Sequence, residues 1–208
     1  MSSKPIQEQF GQRVIEAFAE FARSDLKTVA EYESDEFSHI RDASLRRDLA
    51  QVFYGSRWIY KVGLALLVEK EERAAHVRAQ IVDYASVCEG LLSYSVAHAI
   101  RKNHTIGTGW RYLDPDHQKK PISWNTAQPE RAKAIQNFWW QIRISREFKI
   151  IDSRVEPDLQ WLREQRNTVH LRARASIGKT AFINQSKKAF MVVTTTIRQT
   201  KSWRGSHP

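Results

Sequence analysis

Residues that break regular secondary structure are scarce in this chain, which has only 8 Gly and 6 Pro among 208 residues. A β-sandwich or barrel with many tight turns needs more of both, so the scarcity argues against that class and favours long helices. Cysteine is nearly missing as well, because Cys88 is the only one. A disulfide within the chain is therefore impossible, and a reducing compartment fits best.

Long apolar runs are also missing. No stretch approaches the roughly 18 consecutive apolar residues of a membrane span, and the N-terminal stretch lacks the cationic start and apolar core of a secretion signal. We therefore expect a cytoplasmic protein with no membrane partner. Apolar material for a core is present: hydrophobic residues make up 41% of the chain, with 7 Trp, 6 Tyr and 9 Phe.

Charge is divided unevenly along the chain. Residues 1–100 carry 12 Lys and Arg against 15 Asp and Glu, a net −3, whereas residues 101–208 carry 21 against 8, a net +13. A basic half of this kind attracts polyanions such as nucleic acid. An ordinary basic surface has the same composition, so charge alone does not identify the partner.

The spacing of apolar residues predicts an all-α protein. Intervals of three and four residues predict helices over 7–23, 44–68, 80–101, 156–174 and 186–203, and one that begins after residue 129. Gly55 and Gly63 predict a bend or break in the second of these. Residues 30–37 are expected to form a connector, and residues 69–78 a solvated turn of helix or a loop.

Residues 102–129 interrupt the helical pattern with two Gly and three Pro, which predicts a long insertion between helices. Aromatic residues alternate there with basic ones, of which Lys119 and Lys120 are candidates to contact RNA. Aromatic rings can stack on bases while the neighbouring cations pair with phosphates. The same rings could instead pin the insertion to the core.

A second cluster of basic residues lies on the helix that begins near Glu156. Arg163 and Arg166 precede His170 by seven and four residues, so all three share one helix face, and Asn167 flanks it. Cleavage of RNA without a metal needs a base for the 2′-hydroxyl, an acid for the leaving oxygen and donors for the phosphate. Imidazole suits the proton transfers near neutral pH, and guanidinium groups suit the phosphate.

One helix supplies only one imidazole, so two copies facing each other across a two-fold axis would complete the site, and we expect a homodimer. Nearby basic residues add candidate RNA contacts: Arg143, Arg172 and Arg174. A structural explanation also fits, because a His near a helix C-terminus is favoured by the helix dipole alone. The histidines and Cys88 repeat no ligand spacing, so we expect neither a metal nor a cofactor.

The string Leu162-Arg-Glu-Gln-Arg-Asn-Thr-Val-His170 resembles the signature of the HEPN superfamily, in which an Arg and a polar residue precede a His on a late helix of a helical bundle. The helix that carries Glu89 just before a Leu pair, and the helix that begins near Ser186, resemble the family as well. The resemblance implies a HEPN-type bundle over residues 80–203 with the insertion 102–129. Residues 1–79 would be an N-terminal helical extension packed on it.

The resemblance also implies frequent dimers and metal-independent ribonuclease activity, often in toxins or anti-phage defence. It makes His170 the acid and base, places the two arginines at the phosphate, and gives Asn167 and Glu89 supporting roles. Arg166 matches the Arg-polar pair, whereas Arg163 matches the spacing to the His, so the identity of the motif arginine stays open.

The sequence thus predicts a homodimeric endoribonuclease, held silent by an antitoxin, by another regulatory protein or by residues 1–79. The alternative is a catalytically inactive HEPN-like module, in which the arginines serve an interface with a partner.

Overall fold

The computed structural model describes residues 10–102, 104, 127–129, 137–167 and 183–208. Within these residues the chain forms seven α-helices and no strand, which confirms the expected all-α class. The helices are α1 (Gln12–Arg23), α2 (Val29–Ser34), α3 (Ala43–Ala65), α4 (Lys70–Arg101), α5 (Phe138–Glu147), α6 (Glu156–Asn167) and α7 (Ile183–Ser206). None of them is both long and apolar enough to cross a bilayer.

Helix α4 is the centre of the bundle and packs against α3, α5, α6 and α7. Its buried residues recur on several sides rather than along one stripe, as a helix with neighbours on several sides requires. Tyr84, Leu91 and Leu92 are almost completely buried there, and Trp140 of α5 and Leu159 of α6 join the same core. Full burial of side chains of this kind stabilises the fold by about 1.5–3 kcal/mol each.

The expected connector over residues 30–37 is instead the short helix α2. A capping box starts it: the Thr28 hydroxyl accepts a bond from the Glu31 amide (3.2 Å), and the Glu31 carboxylate accepts one from the Thr28 amide (2.6 Å). Tyr32 is buried edge-on against Phe53 of α3, with ring centroids 5.1 Å apart. The cap and this one aromatic contact give a polar stretch its helical conformation.

Helix α3 is continuous from Ala43 to Ala65, so the predicted break at its glycines is wrong. Its N-cap is Asp42, whose carboxylate accepts a bond from the Leu45 amide at 3.0 Å. At Gly63 a Cβ atom would lie only 3.1 Å from the His76 ring, so this glycine permits the close approach of α4.

Helix α4 begins at Lys70, ten residues before the predicted start, and includes the stretch expected to be a loop or an isolated turn. Ala74, Val77 and Ile81 are buried at helical spacing, and Glu71 and Glu72 stand in the first turn, where the helix dipole favours acids. The predicted division between residues 79 and 80 therefore falls inside a continuous helix.

The later helices agree more closely with the sequence. Helix α6 begins at Glu156 as expected, and α7 includes all of the predicted 186–203, including its β-branched run. Helix α1 begins at Gln12 rather than at residue 7, and Asn137 caps α5 through the Trp140 amide (3.3 Å). Residues 105–126, which hold most of the predicted insertion, lie outside the described part of the chain.

Candidate functional site

The candidate site lies along the edge of α6 that meets α4. Leu159 and Leu162 are completely buried and fix the inner face of this helix against the core. Arg163 and Arg166 each follow one of these leucines by four residues, so they border the buried face and are partly exposed, whereas Asn167 is exposed. Three of the predicted site residues thus lie on one described helix, and each is at least partly exposed.

Arg166 reaches across to α4. Its Nη1 atom lies 2.7 Å from Oε2 of Glu89, and the two side chains are 35% and 24% exposed. Burial raises the pKa of the Glu89 carboxyl above its usual value, and the Arg166 guanidinium opposes that rise. The ion pair therefore holds the guanidinium in a fixed place at the cost of a partly desolvated carboxylate.

Arg163 is held differently, because its partners belong to its own helix. Its Nε donates to the side-chain oxygen of Gln160 at 3.0 Å, and its Nη2 lies 3.8 Å from the Glu164 carboxylate. Gln160 neutralises no charge, and Glu164 is 64% exposed, so the guanidinium of Arg163 keeps more of its field than that of Arg166. Arg163 is thus less neutralised by its partners than Arg166 and would attract an anion more strongly.

Other predicted residues are not brought into this arrangement by any described contact. Arg143 is exposed on α5, where its guanidinium carbon lies 5.2 Å from the centre of the Trp139 ring. The remaining predicted residues lie outside the described part of the chain: His170, Arg172, Arg174, Lys119 and Lys120.

The structure adds residues that the sequence analysis did not single out. Gln160 holds Arg163, and its signal was present as a spacing of three residues on one helix. Lys188 of α7 lies 4.5 Å from the centre of the Trp161 ring and 3.0 Å from the Asp158 carboxylate. That second contact joins two helices distant in sequence, so no local pattern pointed to it.

Within the described residues, no group of three or more His, Cys, Asp or Glu side chains is arranged to hold a metal ion. Comparison of the chain with protein-family models, with curated proteins and with solved structures found no match. The site offers an oriented guanidinium, a second and less neutralised one, and an exposed amide.

Proposed function

We propose that this protein is a metal-independent endoribonuclease of the HEPN type that acts as a homodimer. The observation that supports it best is the 2.7 Å contact between Glu89 and Arg166. It joins the two segments that resemble the family, although they are far apart in sequence. An acid that orients a motif arginine is the arrangement expected from that resemblance.

The proposed reaction is an attack by the ribose 2′-oxygen on the adjacent phosphorus. One imidazole, that of His170, takes the proton from the 2′-hydroxyl, and the imidazole of the second copy donates a proton to the departing 5′-oxygen. The bond from phosphorus to the 5′-oxygen breaks, which leaves a 2′,3′-cyclic phosphate on one fragment and a 5′-hydroxyl on the other. No metal and no other reactant is needed to balance this step.

The arginines would stabilise the charge that develops on the phosphate oxygens. A guanidinium has five N–H donors, and the described contact of Arg166 with Glu89 occupies one of its terminal nitrogens, so donors remain for a phosphate. Arg163, held by the neutral Gln160, would supply a stronger field. The net charge of +13 over residues 101–208 would draw RNA towards this half of the chain.

The test is cleavage of RNA by the full chain in the presence of EDTA. We expect the wild-type protein to release fragments with 2′,3′-cyclic phosphate ends, and His170→Ala to lower the rate by about 100-fold or more, the usual contribution of a general acid or base. His207→Ala is the matched control, since it removes an imidazole just after α7 and remote in sequence from α6, and it should leave the rate unchanged. Circular dichroism of each variant checks that it folds.

RNA that stays intact after long incubation with concentrated wild-type protein would overturn the proposal, as would equal rates for wild type and His170→Ala. Growth arrest on expression of the wild type, and not of His170→Ala, would support the toxin or defence role and would allow an antitoxin or other regulatory partner to be sought.

The ion pair of Arg166 also fits the catalytically inactive alternative, because an arginine paired with a carboxylate can serve packing alone. An inactive module would bind its partner equally well with and without the imidazole of His170. Unchanged RNA binding together with no cleavage by the wild type would favour that function.

A further inference from the structure

Helix α1 leaves an apolar stripe uncovered. Ala22 is its only buried residue, whereas Val14 and Phe21 are 60% and 43% exposed. Ala17 lies on the same side and is exposed as well. These three residues, Val14, Ala17 and Phe21, are referred to below as the α1 seam.

The spacing of the α1 seam is that of a helix that pairs with another helix. Its members follow one another at intervals of three and four residues, the spacing of a coiled-coil interface. The contact that attaches α1 to α3 uses the neighbouring strip, where Ala22 is buried. The α1 seam is therefore free of the packing that holds α1 in place, apart from Lys61 over one face of Phe21 (4.4 Å).

Charges beside the α1 seam indicate what covers it. Arg13 and Glu20 each stand one residue before a seam position and so border the same edge. A two-fold axis perpendicular to the helix brings that edge against the same edge of a second copy, with Arg13 of each copy opposite Glu20 of the other. Neither residue has an ion-pair partner among the described residues, so both are available for such pairs.

We propose that α1 is a homodimer contact, in which two copies of the chain pack antiparallel along the α1 seam and are set in register by reciprocal pairs between Arg13 and Glu20. A membrane surface fits less well. Helix α1 carries two Arg and two Glu, whereas helices that lie on anionic membranes have polar faces rich in Lys and Arg.

The size of the helix sets the strength of this contact. Twelve residues span about 18 Å, which is too short to bury the ~800 Å² per partner of a standard interface. We therefore expect a weak and concentration-dependent dimer, with a Kd in the range of about 10 to 500 µM. The proposal does not rest on the nuclease proposal, because the α1 seam includes no residue of α6.

Sedimentation equilibrium of the full chain at low ionic strength, over about 5 to 500 µM, tests the proposal. Arg13→Glu places two Glu–Glu pairs across the contact and Glu20→Arg two Arg–Arg pairs, so each should weaken association about tenfold or more. An equimolar mixture of the two variants should dimerise as the wild type does, since every pair is then of opposite charge. The double variant should also dimerise as the wild type does, because its pairs are again of opposite charge.

Arg23→Glu is the matched control, because it makes the same change of charge on the same helix but away from the bordering edge. It should leave the Kd within about twofold. Helical content by circular dichroism shows that each variant keeps α1.

A wild type that stays monomeric throughout the range would overturn the proposal, whether or not it binds phosphatidylserine vesicles. So would equal losses for Arg13→Glu and Arg23→Glu, or a mixture that stays dissociated. A dimer whose Kd none of these changes affects would also contradict it, because its contact would then lie outside the α1 seam. Failure to cleave RNA would not bear on this outcome, because sedimentation measures association alone.

Discussion

Partial burial disfavours the charged form of Glu89. The ion pair with Arg166 offsets part of this desolvation free energy. Burial is the main reason that the pKa of Glu89 is raised, and a carboxyl whose folded-state pKa lies above its unfolded value favours the fold at acid pH. That contribution is lost as the pH rises through the folded-state pKa. At neutral pH the charge of Glu89 is consequently kept at the expense of stability, as expected of a residue with a positioning role.

We predict that Glu89→Gln changes the free energy of unfolding by less than about 1 kcal/mol, because the amide oxygen can still accept from Arg166 and the desolvated charge is gone. The rate of RNA cleavage should fall about tenfold or more, since the guanidinium is less firmly oriented. Urea unfolding and the cleavage rate are measured together. Glu147→Gln, which neutralises an exposed acid on α5, is the control, and equal effects of the two changes on the rate would contradict the prediction.

The resemblance to a family gave Glu89 a supporting role and left open whether Arg163 or Arg166 is the motif arginine, and the structure shows that Arg166 is the one in contact with Glu89. The role of that contact stays a prediction. The partner of Arg163 was not predicted, although Gln160 is only three residues away. A long side chain on an exposed helix face has several neighbours within reach, and the sequence does not decide which of them it contacts.

Among the helices, the glycines offer a contrast between two positions of the same residue type. Nothing lies within 4 Å of a Cβ built at Gly55 of α3, whereas one built at Gly90 of α4 would lie 2.9 Å from a methyl carbon of Leu49. Replacing Gly by Ala should stabilise the helical backbone at both positions by a similar amount, roughly 0.5–1 kcal/mol. Only at Gly90 does the added methyl group also crowd a neighbouring side chain, which opposes that stabilisation.

We predict that Gly55→Ala raises the free energy of unfolding by about 0.5–1 kcal/mol. Gly90→Ala should give a smaller gain or a loss, because Leu49 must shift in a packed interface and overpacking costs about 1–3 kcal/mol. The midpoints of urea unfolding compare the two. Equal gains would show that Leu49 moves at no cost.

Helices that carry a strong apolar period and a clear start were predicted well from the sequence, as α6 and α7 show. The errors arose where tertiary contacts decide. Helix α2 has no apolar period and depends on the Thr28 cap and the burial of Tyr32. The first turns of α4 are charged, and they continue the helix because Ala74 and Val77 meet the rest of the bundle.

At the scale of the whole molecule, a group of histidines surrounds the C-terminal part of α7. His39 meets the Thr200 hydroxyl at 3.2 Å, and the His98 ring stands edge-on to Trp203, with ring centroids 6.1 Å apart. His104 and His207 are also in contact, with ring centroids 5.1 Å apart. Nearby cations also lower the pKa of these rings, among them Lys102, Lys201 and Arg204.

Burial, reinforced by these cations, lowers the pKa of His39 and of His98 from 6.5 to about 4. The unfolded chain therefore binds more protons than the folded one between these values, so stability rises with pH from about 4 to 6.5 and is fully present above 6.5. Helix α7 is thus packed against imidazole rings that are neutral in the folded protein and that become protonated at low pH. Local sequence could not reveal this, because His39 and His98 meet α7 only in the folded protein.

We predict that the free energy of unfolding is lower at pH 4.5 than at pH 7.5 by about 2–5 kcal/mol, which urea titrations at the two pH values would measure. Carboxyls contribute in both directions, since burial raises the pKa of Asp83 while Arg154 lowers that of Asp152. The variant His98→Phe isolates the imidazole, because it keeps an aromatic ring against Trp203 but binds no proton. It should remove about 2 kcal/mol of the difference between the two pH values, and a difference as large as that of the wild type would show that His98 does not titrate as a buried neutral ring.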